Sequence, residues 1–213
     1  MVIMSVLVLG GVVVVRRLTV GDVRRANIPE RYWDVRFSAI PEGLEYREKV
    51  GKYLSDLPDM LDKGIGLYLW SLQNSTGKTS IATLVIKQAL RHRKTAFFEE
   101  SGRLKNLLIK GDNFEEGVTI ENRVLNVDVL VIDDIGKEYR TQSGFAENQL
   151  ETIVRARVQN MKTTIMTGNV HPKDLKNIYS EDFSALLRES MVQLNIVGHD
   201  FRAERERELR SLL

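Results

Sequence analysis

A short polar turn carries the first recognisable chemistry. Residues 72–79 read LQNSTGKT and stand between an apolar run, 66–70 (GLYLW), and a stretch with helical spacing. A turn that opens a helix points backbone N–H groups outward, and the helix dipole makes that end attractive to anions. Lys78 has the reach to meet the β- and γ-phosphates of a nucleotide, and the Thr79 hydroxyl can ligate Mg²⁺. Asn74, Ser75, Thr76, Gly77 and Ser80 would complete the cradle. The full pattern, G-x-x-x-x-G-K-[ST], has glycine where this chain has Leu72, and Ser75 stands where many such loops carry another glycine. A Cβ at Leu72 is expected to restrict how the strand turns into the loop. Taken alone, the GKT triplet has a plain alternative, an accidental match in a turn.

A second group sits farther along. Residues 127–134 (VDVLVIDD) are an apolar strand ending in two carboxylates. Asp133 would hold Mg²⁺, directly or through water, and Asp134 would orient or deprotonate the attacking water. The alternative is a pair of aspartates starting a turn. The two motifs occur in the order a phosphate-binding site needs, each at the end of an expected strand. Residues 163–169 (TTIMTGN) end a third such strand, and in a parallel sheet these C-terminal ends converge on the ligand crevice. Asn169 is then placed to bond the γ-phosphate or the water; a turn residue is its other reading.

The elements that must position these groups follow from periodicity. Helices are expected over 44–62 (with Pro58 as a break), 79–93, 101–109, 147–161, 180–189 and 201–213. Strands are expected over 66–70, 95–98, 127–132, 163–167 and 192–197, with a loop over 111–117. Alternating strands and helices make an α/β domain with a mostly parallel sheet covered on both faces. The chain of 213 residues suffices for one such core. It has no cysteine, which excludes disulfide scaffolds, thiolate metal sites and cysteine nucleophiles. His92, His171 and His199 are far apart in sequence, against a histidine-rich metal site. Thirty-one basic residues nearly balance 29 acidic ones, so any nucleic-acid contact has to be a local patch.

In this order the segments resemble the DnaC/IstB branch of AAA+ ATPases over roughly residues 24–202. The resemblance rests on ANIPERYWDVRF (26–37), the GKT turn, VLVIDDIGKE (129–138), ENQLETIVRARVQN (147–160), TTIMTGN (163–169) and HDFR (199–202). It implies a three-layer P-loop NTPase (AAA+) core at 24–198, strand order 5-1-4-3-2, and a reduced C-terminal lid. An N-terminal segment, 1–23, and a charged helix, 199–213, flank that core. It further implies ATP and Mg²⁺ as cofactors, slow hydrolysis, Asn169 as the sensor-1 residue and IPERYWDVRF near the adenine. Arg188 would complete a neighbouring subunit's site, with Arg157 as second candidate, and Arg202 would contact nucleotide; each arginine could equally be a surface group. The implied function is a cytoplasmic helicase loader that meets a replicative helicase and single-stranded DNA as a homo-oligomer. Two alternatives stand beside it: a transposition helper ATPase on duplex DNA, and a degenerate ATPase that only recruits a protein.

Residues 1–15 are apolar and uncharged, too short for a membrane span and without a signal peptide's charge order. They are expected to form a strand or a partner contact, with a membrane anchor or an atypical N-terminus as alternatives. Two basic groups, Arg16, Arg17, Arg24 and Arg25, and Lys87, Arg91, Arg93 and Lys94, could touch DNA or serve as solvated charge and helix-end complements.

Overall fold

A computed structural model describes residues 16–110, 120–136 and 145–211. The expectations for 1–15 and for the loop 111–117 fall outside the described residues.

Five strands form one parallel sheet: β1 (Gly66–Trp70), β2 (Ala96–Glu100), β3 (Val129–Ile135), β4 (Thr163–Gly168) and β5 (Met191–Asn195). Their order is β2-β3-β4-β1-β5, the expected 5-1-4-3-2 arrangement seen from the other edge. Among the described residues the helices are α1 (Val20–Arg25), α2 (Glu45–Ser55), α3 (Leu57–Asp62), α4 (Lys78–Arg91), α5 (Ser101–Lys110), α6 (Ile120–Asn126), α7 (Phe145–Gln159), α8 (Glu181–Ser190) and α9 (Phe201–Arg210).

Successive strand side chains point to opposite faces, so a doubly covered sheet feeds two cores. Leu67, Leu69, Val129 and Val131 enter one core with Val50, Leu57, Ile81 and Val85 of α2, α3 and α4. Tyr68, Leu130, Ile132 and Met166 enter the other with Leu104, Val124, Ile153 and Phe183 of α5, α6, α7 and α8. Helices, sheet and helices make the three layers.

The expected elements are present with shifted ends. The helix expected over 44–62 divides at Asp56, because Pro58 opens α3. Strand β3 runs on through both aspartates instead of stopping before them. Helices α1 and α6 were not anticipated.

Two buried cations bind elements together. Lys87 on α4 donates to the carbonyls of Tyr32, Trp33 and Val35, so the 30–35 segment is fastened to that helix. Arg157 on α7 is fully buried and donates to the carbonyls of Val124, Val127 and Thr163 and to Thr164 Oγ1. At the sheet edge Phe98 N donates to Ala26 O, and Asn27 Nδ2 donates to Phe98 O.

Candidate phosphate-binding site

The loop leaves β1 at Trp70 and enters α4 at Lys78. Gly77 is the N-cap with φ +90°, and a Cβ there would lie 2.7 Å from the Phe201 ring. Only glycine fits, for both reasons. Ser75 has φ +65°, the left-handed region, which accounts for glycine at this position in many such loops. Leu72 is different: it is not among the described residues with positive φ, and its side chain points to solvent at 70% exposure. The restriction expected from its Cβ is therefore not imposed. Lys78 is buried, and its ammonium donates to Gln73 O at 3.1 Å and Thr76 Oγ1 at 3.4 Å, within the loop it would share with a phosphate.

Asp133 faces this loop. Thr79 Oγ1 donates to its two carboxylate oxygens at 3.0 and 3.1 Å, and Thr167 Oγ1 donates to Oδ1 at 2.6 Å. Burial pushes the Asp133 carboxyl up from its ordinary value. The two hydroxyl donors oppose that shift, while the carboxylates of Asp134 and Glu100 add to it. Glu100 stands in register with Asp133 on the neighbouring strand. A cation in this position would relieve the crowding of negative charge.

Asp134 has φ +61°, and the β3–β4 register shifts between Ile132 and Ile135. A non-glycine residue held in that region needs surrounding structure to fix it. Thr167 Oγ1 accepts from Asp134 N at 2.9 Å, and Ser101 Oγ donates to Asp134 O at 3.0 Å. The peptide groups on either side of Asp134 are thus clamped by two buried hydroxyl residues. Asn169 Nδ2 donates to Asn74 Oδ1 at 3.2 Å and lies 3.5 Å from Asp134 Oδ1, joining the loop to the acidic pair. Asn169 Oδ1 is buried without a hydrogen-bond partner.

The structure thus brings together Asn74, Lys78, Thr79, Asp133, Asp134 and Asn169. Sequence reasoning missed Thr167, Ser101 and Glu100. Arg202 is exposed in the first turn of α9, and its N–H donates to Asp200. Arg188 is half exposed on α8, bonded to Ser184 Oγ and 3.8 Å from Glu181. Arg157 does not reach a second copy, because it is buried among backbone carbonyls.

These groups fit Mg²⁺ with a nucleotide. Among the described residues there is no cluster of three or more His, Asp or Glu side chains able to enclose a metal. One hydroxyl and one buried carboxylate are what Mg²⁺ takes when substrate phosphates supply further oxygens.

A phosphate loop after β1, with β4 inserted between β1 and β3, is the arrangement of the AAA+ P-loop ATPases. Within that class, residues 72–197 match the family described as "IstB-like ATP binding protein", more than half of the chain, and the chain belongs to it. It is 24% identical over 160 residues to the "Replicative helicase loader DnaC" of Buchnera aphidicola subsp. Baizongia pistaciae (strain Bp). That match covers 74% of this chain and 64% of the relative, so the chain spans somewhat under two thirds of that protein. A DnaC helicase loader structure superposes with a TM-score of 0.66 at 22% identity, over 79% of this chain and 100% of the other. A DnaI structure superposes with 0.67 at 18%, over 81% and 93%.

Proposed function

We propose that this protein is an ATP-binding, slowly ATP-hydrolysing replication protein that loads a replicative helicase, as the DnaC-type relatives are named for doing. The carrying observation is the single hydrogen-bonded group formed by Thr79, Asp133, Thr167, Asp134, Asn169 and Asn74 at the C-terminal ends of three strands. Backbone N–H groups of 74–80 and the Lys78 ammonium hold the phosphates. Thr79 and Asp133 hold Mg²⁺, which when bound neutralises charge on the phosphate oxygens. Asp134 orients or deprotonates the water, and Asn169 hydrogen-bonds the γ-phosphate or that water.

The nucleotide acts as a switch. Residues 24–198 form the ATPase core, and 199–213 the tail whose Phe201 rests on Gly77 and donates its N–H to Ser75 O. Occupancy of the loop is thereby coupled to the tail. Copies of the chain assemble with Arg188 directed at a neighbour's phosphates, on single-stranded DNA and against a helicase ring. The protein works in the cytoplasm; among the described residues no helix is long and apolar enough to cross a membrane.

The family match supports a second reading, a transposition helper acting on duplex DNA. A third, a nucleotide-free recruiting module, draws only on the strained Ser75. Turnover measured with single- and double-stranded DNA separates them, together with capture of purified replicative helicase. Stimulation by single strands and helicase capture support the loader. Stimulation by duplex alone supports the transposition helper, and absence of nucleotide binding supports the recruiting module.

A further inference from the structure

The two basic runs, separate in sequence, meet at the end of the sheet opposite the phosphate loop. There the starts of β2 and β3 and the C-terminal end of α4 border a cleft of about 590 Å³. Arg16 and Arg25 come from the N-terminal run, Arg93 and Lys94 from the end of α4, and Arg123 from α6. Asp22 is the one carboxylate in its lining, so five cations face one anion.

Three guanidiniums are already held in place. Asp22 accepts from Arg16 through both oxygens, each at 2.9 Å, and from Arg25 at 2.6 Å. Arg123 lies over the Phe97 ring at 4.2 Å and donates to Arg25 O. Lys94 is 3.8 Å from Asp62, a loose, partly exposed pair. Arg93 is exposed and has no acidic partner among the described residues. It also sits at φ +60°, where Lys94 N donates to Ala89 O and Arg93 N to Leu90 O at the end of α4. Glycine ordinarily takes that helix-ending position, because any Cβ is strained there. Packing gives no reason for arginine at an exposed site; a charge directed into the cleft does.

We propose that this cleft binds the phosphodiester backbone of a single nucleic-acid strand. The cations come from separate stretches of the chain, and pre-fixed guanidiniums suit phosphate oxygens. No aromatic side chain is in the lining, so bases have nothing to stack on and binding is independent of sequence and steeply salt-dependent. This rests on the single-strand part of the proposed function and places the strand a full strand length from the ATP site.

The test is fluorescence anisotropy of a labelled oligothymidine over a salt series, with binding of a fluorescent ATP analogue measured in parallel. Arg93→Glu/Lys94→Glu should weaken the oligonucleotide at least tenfold and leave nucleotide binding unchanged. Loss of two phosphate contacts should flatten the log–log salt slope by about 1.4. Arg93→Gly should also weaken the strand while raising or keeping the unfolding midpoint, since it removes charge and strain together. Unchanged affinity and slope in both variants would overturn the cleft while leaving the single-strand reading intact. A wild type that binds no oligonucleotide would overturn both. Displacement of the oligonucleotide by inorganic tripolyphosphate at equal phosphate concentration would assign the cleft to a free polyphosphate and overturn the strand.

Discussion

Thr79 and Thr167 both donate to Asp133, yet their loss should have different consequences. Thr79 lies in the first turn of α4 and is a metal ligand in the proposed site. Thr167 touches neither metal nor phosphate; it positions Asp133 through one bond and Asp134 through another. Thr167→Val keeps the shape and removes the hydroxyl, leaving Asp134 N unbonded. Turnover should fall about 10- to 100-fold, the usual consequence of losing such a supporting bond, with little change in nucleotide affinity. Thr167→Ser should restore most of it; a Val variant as active as wild type would show that the hydroxyl is not used. Lys78, Thr79, Asp133 and Asn169 were legible because their spacing follows the logic of a phosphate site. Thr167 was not: a threonine in an apolar strand reads as β-propensity, and its partner lies 34 residues away. Leu72 and Ser75 both departed from the motif, but only the backbone angle separates the harmless change from the strained one.

At the scale of elements, the internal cations decide more than their sequence context suggested. From sequence Arg157 reads as the second candidate for an arginine completing a neighbour's site, or as a surface charge. It is buried because α6 ends against it and leaves the carbonyls of Val124 and Leu125 without helical donors. Helix α6 itself is only seven residues long, which explains why periodicity did not find it. Arg157→Met would fill much of the volume but orphan several buried carbonyls. It should destabilise the fold by about 3 kcal/mol or more, read from urea unfolding. A loss below 1 kcal/mol would mean water replaces the guanidinium. The split between α2 and α3 was legible, since Pro58 has no N–H to donate to a continuing helix.

For the whole molecule, alternating strands and helices predicted a parallel sheet but could not order its strands; the order came from the family resemblance. Nor could sequence place the two basic runs beside one cleft, because that depends on how α4 and α1 flank β2. Acid stability tests how the sheet's starting edge is held. Burial raises the Asp128 carboxyl, but donation from Lys162 Nζ and from Thr95 N and Oγ1 outweighs it and brings it to about 2. Asp22 is held well below its usual range by Arg16 and Thr19. Carboxyls with lowered folded-state values contribute stability above their unfolded value, 3.8, and lose it as pH falls toward the folded one. Stability should therefore decline below about pH 4, and the gap between wild type and Asp128→Asn should close by about pH 2. A gap that persists there would show that the carboxylate's charge is not what stabilises this edge.

The central claim is that Lys78 and Asp133 serve one Mg²⁺–nucleotide site. Its most direct test is the titration of a fluorescent ATP analogue, with and without Mg²⁺, into wild type, Lys78→Ala and Asp133→Asn. The expected result is saturable binding by the wild type, lost in Lys78→Ala, and no longer strengthened by Mg²⁺ in Asp133→Asn. Equal binding by all three proteins, or none by the wild type, would contradict the account.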